Sequence, residues 1–246
     1  MTSNMTLYDQ YQIDRQSVEY QSAFIKPNPL VSVVISTYNA AEMLTGHCLK
    51  GILNQTYKNL EVIIIDDGST DDTAEKVRAI KDPRIKIETI YRDKSSDTWF
   101  NCGGAASNHG LDLCTGDFIA TCDDDDFFFP KKIEKLVFLS QTTKADVTHH
   151  PFKIYRNPEG TNIMIDSQHF AAGFIATSNL FYHSYFKKIK INLDMEQQGD
   201  WQKARTIMEL GANIVRHPEI LCVLNQRYCW DGNSRSQPKD GWVQSL

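Results

Sequence analysis

Apolar positions along the chain follow two rhythms. Continuous β-branched runs occur at "LVSVVIST" (30–37), "LEVIIID" (60–66) and "DFIATC" (117–122). Runs of this length, apolar at consecutive positions, predict strands buried on both faces. "RIKIETIY" (84–91) alternates instead and predicts a further strand. Between the strands the spacing turns helical, with Met43, Leu44, Leu49, Ile52 and Leu53 on one face of 40–56. The segment 69–81 predicts a helix that opens on Ser69 or Thr70 as its cap, with acids in the first turn. Residues 103–115 read as a small-residue helix, and Pro130 is expected to open the next one. Strands alternating with helices predict a mostly parallel α/β sheet covered on both faces.

Beyond about residue 143 the rhythm shortens. "ADVTHH", "FKIYR", "TNIMI", "GFIATSNLFYH", "ANIVRH" and "EILCVLNQRY" read as short strands, mixed or antiparallel, with a helix over 200–211 that ends at Gly211. No linker separates the two patterns. The expected organisation is an extension over 1–28 and a single domain over 29–246, α/β to residue 142 and α+β from 143. Residues 7–25 allow a short amphipathic helix, and a surface-packed or mobile extension is expected.

Composition narrows the function classes. With 246 residues, 41% of them apolar, the chain can bury a sizeable core. Lys plus Arg number 26 against 31 Asp plus Glu, a net charge of −5, which argues against a general nucleic-acid binder. No run of Lys or Arg offers an anionic membrane a partner. The six cysteines form no C-x-x-C pair, so they are expected to be reduced and mostly buried, which suits the cytoplasm. The first residues carry no apolar signal-peptide core, and no apolar run approaches the ~18 residues of a membrane span. Work at a membrane would require peripheral recruitment.

The chemistry concentrates where strands end. In an open α/β sheet, ligands bind beyond the carboxyl ends of the strands. Three such ends are polar: "STYN" (36–39), "DDGSTDD" (66–72) and "DDDD" (123–126). A nucleotide fits them. Tyr38 can stack on a base, Asp66 or Asp67 can accept from a pyrimidine N–H, and Gly68 permits a tight turn. Four adjacent carboxylates repel one another and cost free energy when desolvated, unless a positive charge sits among them. Magnesium or manganese takes one or two protein carboxylates together with phosphate oxygens. Asp123 and Asp125, alternating at a strand end, are expected to face one side, with Asp125 on the metal and Asp123 on a sugar or ribose hydroxyl. Asp124 and Asp126 are expected to point elsewhere, toward a helix terminus. The spacing excludes an EF-hand.

Taken together, "VSVVISTYNAAEMLTGHCLKGILNQTYKNLEVIIIDDGSTDDT" and "DDDDFFFPKKIEKL" strongly resemble the family 2 glycosyltransferases of GT-A nucleotide-sugar fold, from about Val31 to Ser236. The resemblance implies that Ser36 and Tyr38 line a nucleobase pocket and that Asp67 reads the base edge. It makes Asp123–Asp125 a DxD motif, with Asp125 the metal ligand and Asp123 beside it on nucleotide or metal, and it sets "NCGGAASNHGL" under the diphosphate. In "QQGDWQKAR" it makes Asp200 the catalytic base, although the residue alone reads equally as a helix N-cap. Trp201 either walls a sugar plane or packs in the core. Ser178 and Asn179 either face the acceptor or hold a turn. Three positions depart from the family pattern: Ser107 replaces an arginine, Gly199 an acid, and Cys229 lies where a metal-binding histidine is common. His217 is the candidate substitute for that histidine.

The implied activity is a metal-dependent inverting transfer from a nucleotide sugar, with uridine diphosphate the expected carrier, to a carbohydrate or glycolipid hydroxyl. "QRYCW" lacks the Gln-x-x-Arg-Trp of processive synthases, so one sugar per encounter is expected. Two alternatives remain. A binding module could keep the pocket without turnover. A sugar-nucleotide nucleotidyltransferase would share fold and metal, but usually carries a Gly-rich loop that "STYNAAEML" does not supply.

Overall fold

The computed structural model describes residues 5–91, 103–156, 161–166, 168–193 and 199–226. Strands β1 (Val31–Thr37), β2 (Leu60–Asp66) and β3 (Ile85–Thr89) run parallel, joined to β4 (Phe118–Asp123) through β1. The register aligns their carboxyl ends: Thr37 lies opposite Asp66, and Ser36 opposite Asp123. Val33, Ile35, Val62, Ile64 and Ile65 are fully buried, as strands covered on both faces require.

Strands from the second half complete the same sheet. β6 (Val147–His149), β9 (Leu180–His183) and β10 (Ile214–Arg216) extend it in the order β10-β6-β9-β4-β1-β2-β3, with β9 antiparallel to both β4 and β6. The remaining strands, β5 (Phe127–Phe128), β7 (Phe152–Arg156), β8 (Thr161–Ile165) and β11 (Cys222–Gln226), form a second sheet in the order β5-β11-β7-β8. The mixed second half expected from its short strands is therefore partly an extension of the first sheet. The acidic run lies where the chain leaves that sheet at β4 and enters the other at β5.

The helices adjust several boundaries. Residues 1–28 contribute two helices rather than one, α1 (Leu7–Asp14), capped by Thr6, and α2 (Val18–Ile25), capped by Ser17. Tyr11, Tyr20 and Phe24 are buried, and the hydroxyls of Tyr11 and Tyr20 donate to Asp146 at 2.7 and 2.5 Å. Asn213 N donates to the same carboxylate at 2.7 Å, so the extension is bolted to the start of β6. The helix after β1 runs as α3 (Ala41–Met43) and α4 (Leu49–Leu53) with a π-helical stretch, Leu44–Cys48, between them. That stretch brings the Cys48 thiol within 3.5 Å of the Asp123 carbonyl oxygen.

Helix α5 (Thr73–Ala79) starts later than its expected cap. Ser69 and Thr70 are used elsewhere: Asn39 N donates to Ser69 Oγ at 2.8 Å, and Thr70 N to Asn39 Oδ1 at 2.7 Å, tying the β1 and β2 ends together. Gly68 has φ +69°, the left-handed turn expected of it. Helix α6 (Gly104–Leu113) packs on β1 and β2, and α7 (Lys132–Thr143) begins two residues after Pro130 with no side-chain cap. Helix α8 (Gly199–Glu209) closes the second half, and Gly211 follows it at φ +75°. Cys48, Cys114, Cys122 and Cys222 are buried free thiols, while Cys102 and Cys229 lie outside the described residues.

Glu61 anchors the base of this sheet. Ser32 Oγ donates to its carboxylate at 2.7 Å, Thr115 N and Oγ1 each at 2.8 Å, and Lys86 Nζ at 2.7 Å. Burial opposes its ionisation, but the hydrogen bonds from Lys86, Ser32 and Thr115 outweigh it and lower the pKa from 4.5 to about 2. A depressed carboxylate pKa adds stability that is present above the unfolded value and is lost as pH falls toward the folded one. Glu61→Gln is therefore expected to cost about 1–2 kcal/mol near neutral pH and clearly less at pH about 3, read by urea unfolding at both.

Candidate functional site

The four carboxylates of the acidic run divide their work. β4 ends at Asp123, and Asp126 N donates back to Asp123 O at 3.1 Å, so residues 123–126 form a tight turn. The strand alternation expected to align Asp123 with Asp125 therefore stops at Asp123. Asp124 accepts from Thr37 Oγ1 at 2.7 Å and Tyr38 N at 3.4 Å, closing the end of β1. Asp126 accepts from Asn225 N at 2.9 Å, which docks β11 against the turn. Asp124 and Asp126 thus bond to a strand end and a strand edge rather than a helix terminus. They hold the corner between the two sheets.

Asp125 is only 5% exposed. Burial, followed by the charges of Asp200, Asp125 and Asp124, pushes the Asp123 carboxyl well above the ordinary carboxylate range. Such mutual repulsion is what a bound cation would relieve. Among the described residues no three His, Cys, Asp or Glu side chains converge into a ready-made cage. The hard oxygens of Asp123 and Asp125 instead fit a Mg2+ or Mn2+ ion that is completed by diphosphate oxygens. His217 has partners of its own. It follows the edge strand β10, its N–H donates to His149 O at 2.8 Å, and its Nδ1 accepts from Glu219 N at 3.1 Å.

The other predicted donor-side residues line the same edge. Asp66 is occupied internally, since Oδ1 accepts from Ser69 N at 3.0 Å and Oδ2 from Thr89 Oγ1 at 3.2 Å. That assigns Asp66 to the turn and leaves Asp67, 5% exposed, as the candidate for a base edge. Ser36 and Tyr38 are partly buried at the end of β1. Gly103, at φ +76°, precedes α6 so close to Ser36 that an added Cβ would lie 2.8 Å from Ser36 Oγ. The start of α6 therefore abuts the end of β1 at Ser36, with Ser107 in its first turn. Asn101 and Cys102 of the quoted motif lie outside the described residues.

Asp200 comes from the far half yet joins this group. It opens α8, and its Oδ2 accepts from Thr177 Oγ1 at 2.8 Å. Burial raises its pKa, partly offset by the hydrogen bond from Thr177. Gly199 beside it is required by packing: a Cβ there would meet Ile191 Cγ2 at 2.6 Å, which accounts for the missing acid. Trp201 is half-buried, with its ring centroid 6.3 Å from that of Phe170, and packs on the core.

Ser178 and Asn179 do not face an acceptor. Both are 0% exposed in a short 3-10 turn, Thr177–Asn179. Ser178 Oγ accepts from Asp123 N at 3.1 Å, and Asn179 Nδ2 donates to His150 O at 3.0 Å and Phe174 O at 3.0 Å. Their hydrogen bonds are spent on the backbone, so the turn-holding alternative applies.

Two residues that matter here carried no signal of their own. Lys132 is fully buried, its ammonium 3.4 Å from the centre of the Phe128 ring and donating to Ser178 O. In "PKKIEKL" nothing separates it from the exposed Lys131. Thr177 is likewise one threonine among many until the fold sets it against Asp200.

Comparison with known proteins agrees with this geometry. The sequence profile of Glycosyl transferase family 2 matches residues 32–200. The chain is 35% identical over 131 residues to the UDP-Glc:alpha-D-GlcNAc-diphosphoundecaprenol beta-1,3-glucosyltransferase WfaP of Escherichia coli, covering 52% of this chain and 48% of that protein. Its fold resembles the crystal structure of S. aureus TarS 1-349 in complex with UDP, with a TM-score of 0.66 at 18% identity, covering 79% of this chain and 60% of the other. It also resembles the mannosyltransferase PcManGT of Pyrobaculum calidifontis in complex with GDP-Man and Mn2+, with a TM-score of 0.58 at 18% identity, covering 83% and 61%. The chain spans about half the length of the curated relatives it matches.

Proposed function

The chain belongs to glycosyl transferase family 2 and has the GT-A fold, and we propose that it moves a sugar from a nucleoside diphosphate to a hydroxyl of a carbohydrate or glycolipid acceptor. The donor is a UDP-sugar, the anomeric centre inverts, and Mn2+ or Mg2+ assists. One observation carries this reading: Asp123, at the sheet edge beside the predicted nucleotide pocket, has its pKa raised by burial and by the charges of Asp200, Asp125 and Asp124. A ledge so loaded with negative charge suits a cation and its diphosphate on one side and a proton acceptor on the other.

The roles follow from position. Tyr38 and Ser36 flank the base, and Asp67 accepts the N–H of uracil. Asp125 and Asp123 would hold the metal, which stabilises negative charge on the departing diphosphate. Asp200 removes the acceptor proton as the hydroxyl attacks, and its burial-raised pKa strengthens it as a base. Trp201 and Phe170 offer an aromatic wall on the acceptor side. Residues 29–246 act as one catalytic unit, braced by α1 and α2. The buried free thiols suit a reducing compartment such as the cytoplasm. No helix among the described residues is long and apolar enough to cross a membrane, and a lipid-linked acceptor would be met by peripheral recruitment.

A panel of UDP-glucose, UDP-N-acetylglucosamine, UDP-galactose, dTDP-glucose and GDP-mannose, each with Mn2+, tests the reading by product analysis. Release of a nucleoside diphosphate supports it, release of pyrophosphate indicates nucleotidyl transfer, and tight binding without release indicates a binding module. Asp125→Asn is expected to abolish the gain in UDP affinity that Mn2+ provides, a loss of about 10-fold or more by calorimetry. Unchanged Mn2+-assisted binding would remove Asp125 from the metal.

A further inference from the structure

The two carboxylate groups of the proposed reaction come from separate parts of the chain, Asp123 and Asp125 after β4 and Asp200 at the start of α8. One short segment touches both. The turn Thr177–Asn179 is pinned to β4 by Thr121 Oγ1, which donates to Thr177 O at 2.7 Å, and by Asp123 N, which donates to Ser178 Oγ at 3.1 Å. It is pinned from below by Lys132, which donates to Ser178 O, and from behind by Asn179, which donates to the carbonyls of His150 and Phe174. It reaches Asp200 on α8 through the Thr177 hydroxyl, 2.8 Å from Asp200 Oδ2, and through the Thr177 backbone N–H.

We propose that Thr177 is a positioning residue, which holds one oxygen of Asp200 so that the other faces the acceptor hydroxyl. This rests on the assignment of Asp200 as the base. A hydroxyl carries one proton; the Thr177 hydroxyl lies 2.8 Å from Asp200 Oδ2 and also bonds weakly toward the Asp123 carboxyl, so it sits between base and donor ledge. The carboxylate of an aspartate on a first helical turn otherwise rotates about two side-chain bonds. Fixing it on a turn already bonded to Asp123 sets base and donor ledge in one frame. A proton acceptor that must meet a hydroxyl within hydrogen-bond reach gains from such restriction.

Thr177→Val keeps the shape and removes the donor, Thr177→Ala removes both donor and methyl, and Thr177→Ser keeps the donor. With the best UDP-sugar of the panel above, Thr177→Val and Thr177→Ala are expected to lose about 10- to 100-fold in kcat. Binding of UDP with Mn2+ should change less than about threefold, because Thr177 is a minor partner of Asp123 beside burial and the charges of Asp200, Asp125 and Asp124. Thr177→Ser should retain turnover within about threefold. Added to Asp200→Asn, Thr177→Val should cost nothing more, since it acts through the missing carboxylate. Wild-type turnover by Thr177→Val, alongside an inactive Asp200→Asn, overturns the proposal alone. So does a Thr177→Ser as damaged as Thr177→Val, or an equal loss in the Asp200→Asn background, since either marks a packing role. Full turnover by Asp200→Asn removes the base assignment and this proposal with it. If Thr177→Val fails to fold, Thr177→Ala decides by the same criteria.

Discussion

Asp200→Asn is expected to lower kcat by about 10³-fold while UDP with Mn2+ still binds as in the wild type. A factor of that size corresponds to about 4 kcal/mol of barrier, within the range for a general base and larger than one lost hydrogen bond accounts for. The amide retains the volume and accepts the Thr177 hydrogen bond, so a fall in rate reports the lost base rather than a lost fold. Unchanged thermal unfolding should accompany it.

The pH dependence supplies a second check. The base must be ionised to act, and burial raises the Asp200 pKa above its ordinary 3.8. The acid limb of the kcat profile is therefore expected above the usual carboxylate range, with turnover falling as pH drops through it. An Asp200→Asn enzyme with near wild-type kcat would remove the residue from the chemistry and leave it a helix cap.

Lys132→Met is expected to destabilise the fold by about 3 kcal/mol at neutral pH. Burial pushes the Asp126 carboxyl well above its ordinary pKa, Asp123 adds to the rise, and the Lys132 charge opposes it. Hydrogen bonds from the Ser178 side chain and Asn225 N oppose the rise first, and Lys132 adds the cationic compensation. Lys132 favours the ionised Asp126 through its charge, so removing it alone leaves that buried carboxylate less compensated, which costs more than deleting both. A group whose folded pKa is raised stabilises below its unfolded value and loses that contribution as pH rises through the folded value. The deficit of Lys132→Met should accordingly be smaller at pH about 5 than at pH about 8, and adding Asp126→Asn should recover part of it. Urea unfolding at the two pH values reads both effects. A Lys132→Met protein as stable as the wild type throughout would show that Asp126 is held neutral by other means.

The division of labour within "DDDD" shows how far sequence reasoning reaches. A strand emerging into four carboxylates marks a charged site at a sheet edge, and that inference needs no coordinates. Which carboxylate does what depends on partners distant in sequence: Thr37 for Asp124, Asn225 for Asp126, Asp200 for Asp123. Alternation does not extend through the run, because the strand ends at Asp123 and a turn follows. Ser69 and Thr70 looked like helix caps for a similar reason. Their local pattern is that of a cap, but Asn39 from the loop after β1 competes for the same atoms and wins.

The burial rhythm of the chain, its parallel core strands, its capped and glycine-turned loops and its acidic strand end were all dictated locally, because side-chain period and turn chemistry act over a few residues. The family likeness was legible in the same stretches. What folding alone decided is the meeting of β4, the turn at Thr177 and the first turn of α8, together with the burial of Lys132 and the docking of Tyr11 and Tyr20 on Asp146. Those contacts join residues tens to more than a hundred positions apart, and their energies depend on desolvation and charge in a shared interior, which no local pattern encodes.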